Sequence, residues 1–250
     1  MLKLLRATAI VASMAALVPG AATAADPVFS TAQRDEIVRI VREALKNDPS
    51  ILRDAVATLN VDNEAQEAAT QRASLEAHRQ ELVSKFGDPQ SGNPSGDVTV
   101  IEFYDPRCPY CRKMLANIDT LLEKDHGIRL VYKDIPVLGP ASTMEARAIL
   151  AAQLQGGYRK MQTALMSDPA QPTAGMLSDV AKELGLNPAK LASDMDSPAT
   201  TQRINANLAL ARALKITGTP TFVVGDTIIP GMVDLDQLQE AVASARKHAG

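Results

Sequence analysis

The sequence has no tryptophan, and aromatic side chains make up only 3% of its 250 residues. Any core must therefore be built from Ala, Leu, Val, Ile and Met. Positive charge is not in excess either: 26 Lys and Arg stand against 29 Asp and Glu, a formal net charge of -3. That balance lacks the basic patch that nucleic acid needs, so nucleic acid is set aside as a partner. Cysteine is the scarcest residue type present, with Cys108 and Cys111 alone. A bridge across two intervening residues closes almost no loop, and in the chain-entropy picture stabilisation grows with the loop, so this pair is a poor staple and a better redox couple. Past the N-terminus no run is long and apolar enough to span a bilayer, and the mature chain is expected to be soluble.

An export signature opens the chain. Lys3 and Arg6 precede an uncharged stretch from Ala7 to Gly20, and Ala22-Thr23-Ala24 offers small residues for cleavage, so residues 1–24 read as a signal peptide. The alternative is an uncleaved anchor, but the stretch falls short of the roughly 20 apolar residues of a membrane span and Pro19 interrupts its end. Export, here to a periplasm, places the cysteines in an oxidising compartment.

With 46% hydrophobic and 22% charged residues, the composition supports one full domain with an attachment. The attachment is residues 27–86. Ser30 to Gln33 has the spacing of a capping box, followed at helical period by Ile37, Val38, Ile40, Val41 and Leu45. After Asn47-Asp48-Pro49 a second apolar stripe runs through Ile51, Leu52, Val56 and Leu59, and a polar helical stretch extends from about Asp62 to Phe86. Stripes with little to cover them point to packing on another copy of the chain, with docking onto the chain's own domain as the alternative. Gly87 to Gly96 reads as a linker or ordered loop.

The main domain, residues 96–250, is predicted to be α/β. Val98 to Tyr104 is a strand covered on both faces; a helix to about Lys124 and a strand from Ile128 to Tyr132 complete a right-handed βαβ unit. A helical insertion follows at about 142–215. The sheet then resumes with a hairpin, Thr221–Val224 and Thr227–Ile229 around Gly225-Asp226, and a last helix capped by Asp234 and Gln237.

The cysteine pair sits where the first strand gives way to the helix. Pro109 suits the first helical position, which makes Cys108 the N-cap and puts Cys111 on the inward stripe with Met114, Leu115, Ile118 and Leu121. An N-cap sulfur is expected to accept from free helical N–H groups and to feel the helix dipole, both of which favour a thiolate. Cys108 is therefore the candidate nucleophile and Cys111 the resolving thiol, with Tyr110 between them. Competing readings stay open. Zinc needs two further ligands, and His78, His126 and His248 are scattered; a Cu(I) site on the two thiolates and a purely structural disulfide are alternatives. Glu102, inside an apolar strand, is either a buried base for Cys111 or a residue at a sheet edge or paired with Lys133. Thr219-Pro220 immediately precedes a strand; a trans bond is the ordinary expectation there.

Glu102-Phe103-Tyr104-Asp105, Cys108-Pro109-Tyr110-Cys111 and the distant Thr219-Pro220 together resemble the DsbA-like thiol-disulfide oxidoreductases, over about Gly96 to Lys247. The preceding helical segment is similar to that of the ScsC-like branch. The resemblance implies a thioredoxin fold with a helical insertion, no cofactor, a cis bond at Thr219-Pro220 facing Cys108, and Glu102 with Lys133 as buried charges behind the disulfide. Tyr110 stands where DsbA has His, and Thr219 where it has Val, which points away from a strong oxidase and toward an isomerase or reductase. Its clients would be cysteine-containing exported proteins, its assembly a homo-oligomer through residues 27–86, and its supply of electrons a membrane redox partner. The rival readings are a monomeric oxidase and a periplasmic holding or Cu(I)-linked binding protein.

Overall fold

The computed structural model describes residues 28–83 and 87–248, so the signal-peptide reading of residues 1–24 lies outside the described residues. The chain divides into two compact units, the first ending at Asn60 and the second beginning at Val61. This division falls inside the segment 27–86, and Leu75 and Leu82, beyond it, are buried in the core of the second unit.

In the first unit, helix α1 (Thr31–Asn47) starts at a complete capping box. The Gln33 N–H donates to the Ser30 hydroxyl, and the Ser30 N–H donates back to the Gln33 side chain. Arg39 pairs with Glu36 and Glu43 on the neighbouring turns, exposed contacts of the i,i+3 and i,i+4 kind that support a helix only weakly. Ile37, Val38, Ile40, Val41 and Leu45 are exposed, and so are Ile51, Leu52, Val56 and Leu59 on helix α2 (Ser50–Ala77). The apolar and polar stretches read separately from sequence form this one helix, since no Pro or Gly stands between Leu59 and Ala77 to interrupt its hydrogen bonds. Helix α3 (Arg79–Val83) follows.

The second unit is built on a five-stranded sheet in the order β1-β3-β2-β4-β5. Strands β2 (Val98–Tyr104) and β3 (Ile128–Asp134) are parallel and joined by helix α4 (Pro109–Lys124), the expected βαβ unit. Strand β1 (Gln90–Gly92) pairs antiparallel with β3. It lies in the stretch read as a linker: three residues, two of them Ser and Gly, carry no β pattern, and the edge of β3 supplies the partner. Strands β4 (Thr221–Val224) and β5 (Thr227–Pro230) form the hairpin, with Gly225 at φ 57° in the first turn position, where a type II′ turn requires positive φ.

The insertion comprises α5 (Pro140–Gln153), α6 (Tyr158–Ser167), α7 (Ala174–Glu183), α8 (Pro188–Met195) and α9 (Pro198–Ala213), and α10 (Leu235–His248) closes the chain behind the Asp234–Gln237 capping box. Strand alternation gives the sheet two cores. Val98, Val100, Tyr104, Leu130, Tyr132 and Phe222 face Cys111, Met114 and Ile118 of α4. Ile101, Phe103, Val131 and Val223 face Leu75, Leu82, Leu210 and Leu214. The architecture is the α/β thioredoxin-like sheet with a helical insertion.

Candidate active site

The turn from β2 into α4 is held from inside by Asp105. One carboxylate oxygen accepts from the Arg107 N–H at 2.7 Å and the Ser142 hydroxyl at 2.8 Å, the other from the N–H groups of Val137 and Leu138 at 2.7 and 3.0 Å. Arg107 and Arg112 tie the same turn to the insertion, Arg107 through buried Glu145 at 3.0 Å and Arg112 through the Asp168 carbonyl at 2.9 Å. Sequence reading missed these clamps, because their partners lie tens of residues away in a different helical layer.

Pro109 is the first residue of α4 and Cys108 its N-cap, as the motif suggests, but the expected sulfur cap is absent. The Cys108 thiol instead donates to the carbonyl oxygen of Thr219 at 3.2 Å. The sulfur thus bonds across to the facing loop and makes no hydrogen bond to the first helical N–H groups. The Thr219-Pro220 bond is cis. Tyr110 is exposed beside this loop, whereas Cys111 is fully buried; both cysteines are free thiols. Burial pushes the Cys111 thiol far up from its ordinary range, the Glu102 charge adds to this, and hydrogen bonds from the Asp105 backbone and the Thr219 side chain oppose it.

Glu102 is buried on the same sheet face as Tyr104, not at an edge and not paired with Lys133. Burial pushes its carboxyl up to about 8; Asp134 adds to the rise and Arg159 opposes it. A second carboxylate, unread in the sequence, lies two register steps away on the neighbouring strand and the same sheet face. Asp134 is opposite Tyr104 in the parallel register and accepts from the Tyr104 hydroxyl at 2.6 Å and the Tyr158 hydroxyl at 3.0 Å, with the two phenol oxygens 2.8 Å apart. Burial pushes Asp134 up to about 6, against the pull of the two phenols.

Lys133 corrects another expectation. It pairs in register with Phe103, so the pleat points it to the face away from Glu102 and the cysteines. There it forms a buried ion pair with Asp88 at 2.6 Å and donates to the Glu81 carbonyl, also at 2.6 Å. It is not a charge behind the redox pair. The three histidines lie after α2, in the turn after α4 and at the end of α10. Among the described residues no group of three or more His, Cys, Asp or Glu is placed to hold a metal ion, and no helix is long and apolar enough to cross a membrane.

Two family patterns match the chain: the DSBA-like thioredoxin domain over residues 99–243 and the copper resistance protein ScsC N-terminal domain over residues 33–66. A thioredoxin-like oxidoreductase from Silicibacter pomeroyi is 44% identical, superposes with a TM-score of 0.65 and covers 68% of this chain and 98% of its own. Proteus mirabilis ScsC in a transitional conformation is 26% identical with a TM-score of 0.65, covering 88% of this chain and 98% of its own. Disulfide bond formation protein D of Bacillus subtilis is 24% identical over 173 residues, 64% of this chain and 78% of its own length. The chain also matches the Na(+)/H(+) antiporter NhaA 3 of Salinispora tropica, at 28% over 156 residues, but spans only 24% of that protein.

Proposed function

Because this chain belongs to the DsbA-like thioredoxin family of thiol-disulfide oxidoreductases, we propose that it rearranges or reduces disulfides of exported proteins through Cys108, in the periplasm. The observation that carries the proposal is the pairing of Cys108, whose thiol meets the Thr219 carbonyl beside the cis Pro220, with a fully buried Cys111 one helical turn behind. Cys108 as thiolate attacks a client disulfide: a Cys108–client bond forms, the client bond breaks, and the second client sulfur leaves as a thiolate. If another client thiolate then attacks, Cys108 is released and the client is isomerised with no net electron transfer. If Cys111 attacks Cys108 instead, the internal disulfide forms, the client sulfur leaves reduced, and the Cys111 proton passes to Glu102. Two electrons have then gone to the client, and a membrane redox partner restores the dithiol.

Isomerase or reductase behaviour is favoured over oxidase behaviour by Thr219 before Pro220, and by an N-terminal segment suited to joining chains. Residues 27–86 contain the ScsC-type N-terminal match and exposed apolar residues on both α1 and the start of α2. Several sites around one client raise the effective concentration for repeated attack. Pro109, Tyr110 and Pro220 shape the client contact, and the two thiols are the donors available to Cu(I), which thiolates select.

Trapping tests the assignment of the cysteines. Cys111→Ser is expected to accumulate mixed disulfides with client proteins and Cys108→Ser to accumulate none; the reverse pattern overturns it. Refolding of scrambled disulfides, with light scattering of the mature protein, tests direction and assembly. Oligomers that restore scrambled substrates, and variants Ile37→Glu and Val41→Glu that lose both properties, are expected. A monomer at micromolar concentration that only oxidises dithiols overturns the isomerase reading.

A further inference from the structure

The resolving chemistry needs a proton acceptor inside the protein, and the structure places two carboxylates, not one, on the sheet face behind Cys111. Glu102 and Asp134 lie on adjacent parallel strands, two register steps apart, and both are buried. Their environments differ. Asp134 receives two phenol hydroxyls, Tyr104 from its own sheet and Tyr158 from the insertion. Glu102 faces Tyr132 and Asp134 from β3, Cys111 from α4 and Arg159 from α6, whose guanidinium is tied to Asp119 of α4. The charge of Arg203 of α9 draws the Asp134 carboxyl down.

We propose that Asp134, held by Tyr104 and Tyr158, is a positioning residue for the redox pair: its negative charge keeps the proton on Glu102 and so sets the pH at which Glu102 can receive the proton of Cys111. This deepens, and rests on, the reading of Glu102 as the proton acceptor. In the resolving step the Cys111 sulfur bonds to Cys108, the Cys108–client bond breaks, the client sulfur departs with the bonding electrons, and the Cys111 proton goes to the Glu102 carboxylate. Two like charges buried on one face of neighbouring strands, where little solvent screens them, do not ionise together easily. The donors belong to Asp134, which therefore ionises first and holds Glu102 in its acid form. The carboxyls pushed up to about 6 and about 8 follow this order.

The test uses the full-length dithiol protein with oxidised glutathione as oxidant, following release of glutathione from the Cys108 mixed disulfide across pH, together with carbon-13 NMR of the Glu102 carboxyl. Asp134→Asn is expected to move both the Glu102 ionisation and the rate profile to lower pH by roughly one unit. Tyr158→Phe leaves Asp134 with one donor fewer, so Asp134 keeps its proton to higher pH; a smaller movement of Glu102 in the same direction is expected. Should Asp134→Asn fail to fold, Tyr158→Phe decides alone. With Glu102→Gln in place, Asp134→Asn should move the profile no further. Folded variants whose Glu102 ionisation stays at the wild-type pH overturn the role of Asp134, even if Glu102→Gln alters the profile. An unaltered profile in Glu102→Gln instead overturns the reading of Glu102 on which the proposal rests.

Discussion

The two faces of the central sheet bury charge in opposite ways. On the face away from the cysteines, Lys133 and Asp88 meet at 2.6 Å, and the ammonium also donates to the Glu81 carbonyl. On the face toward them, Glu102 and Asp134 are both buried, Asp134 accepting from two phenols, and Arg159, the cation acting on Glu102, is bonded to Asp119 and Gln162. Both arrangements occur on one pair of strands, one residue apart in the pleat. A buried pair of opposite charges at short range fixes geometry. Carboxylates without a direct counterion take protons up near neutrality, which suits groups that exchange a proton with a thiol.

The sharpest way to break this contrast is to strip one partner from the paired face. Lys133→Met leaves Asp88 buried without its cation, and removing one member of a buried pair costs about 3–5 kcal/mol. Replacing both, with Lys133→Met and Asp88→Leu, should recover most of that loss, because hydrophobic replacement of a buried pair is often close to neutral. Urea unfolding measures both, and disulfide exchange by the folded fraction should stay at the wild-type rate. A Lys133→Met protein of wild-type stability but slowed exchange would return Lys133 to the redox machinery.

On the other face the expected effect is smaller and depends on pH. Burial pushes the Glu102 carboxyl up to about 8 in the folded protein, from its ordinary carboxylate value of 4.5. Between those values the folded state holds more protons than the unfolded one, so stability falls as pH rises through the window. Glu102→Gln removes this slope. Relative to wild type, the variant should gain on the order of 4 kcal/mol on going from pH 4 to pH 8, and should slow exchange near neutrality. Part of the slope below pH 6 should survive, since Asp134 is raised to about 6 with the same sign. Parallel stability curves for the two proteins would show that Glu102 holds no shifted proton.

How much of this was readable from the sequence depends on how far apart the cooperating residues lie. Pro109 at the start of α4, the Ser30 and Asp234 capping boxes and the Gly225 turn are local devices, and each was legible. Glu102 stood out because a carboxylate interrupts an apolar strand. Asp134 did not, since it sits at the end of β3, where a polar residue looks like the start of a loop; its partners Tyr104 and Tyr158 are 30 and 24 residues away. On paper Lys133 reads as a strand neighbour of Glu102, and the family resemblance implies that both lie behind the disulfide. The register pairs it with Phe103, and one step of register changes the face. Strand β1 exists through the edge it covers rather than through its own residues.

Arg159 allows the contrast to be made sharper still. It is the cation whose charge draws the Glu102 carboxyl back down, while its guanidinium is bonded to Asp119 and Gln162. Arg159→Met removes that pull and leaves Asp134 in place, so Glu102 should ionise at higher pH than in wild type, the opposite direction from Asp134→Asn. The movement should be modest, roughly half a unit, because a charge shared with Asp119 and partly open to solvent is screened. The same carbon-13 titration measures it. A shift to lower pH would mean that Arg159 acts by holding α6 and Tyr158 in place, since loss of the Tyr158 bond frees Glu102 from Asp134. A shift to higher pH leaves the carboxylate face governed by charge, with Asp134 and Arg159 pulling the Glu102 proton in opposite directions.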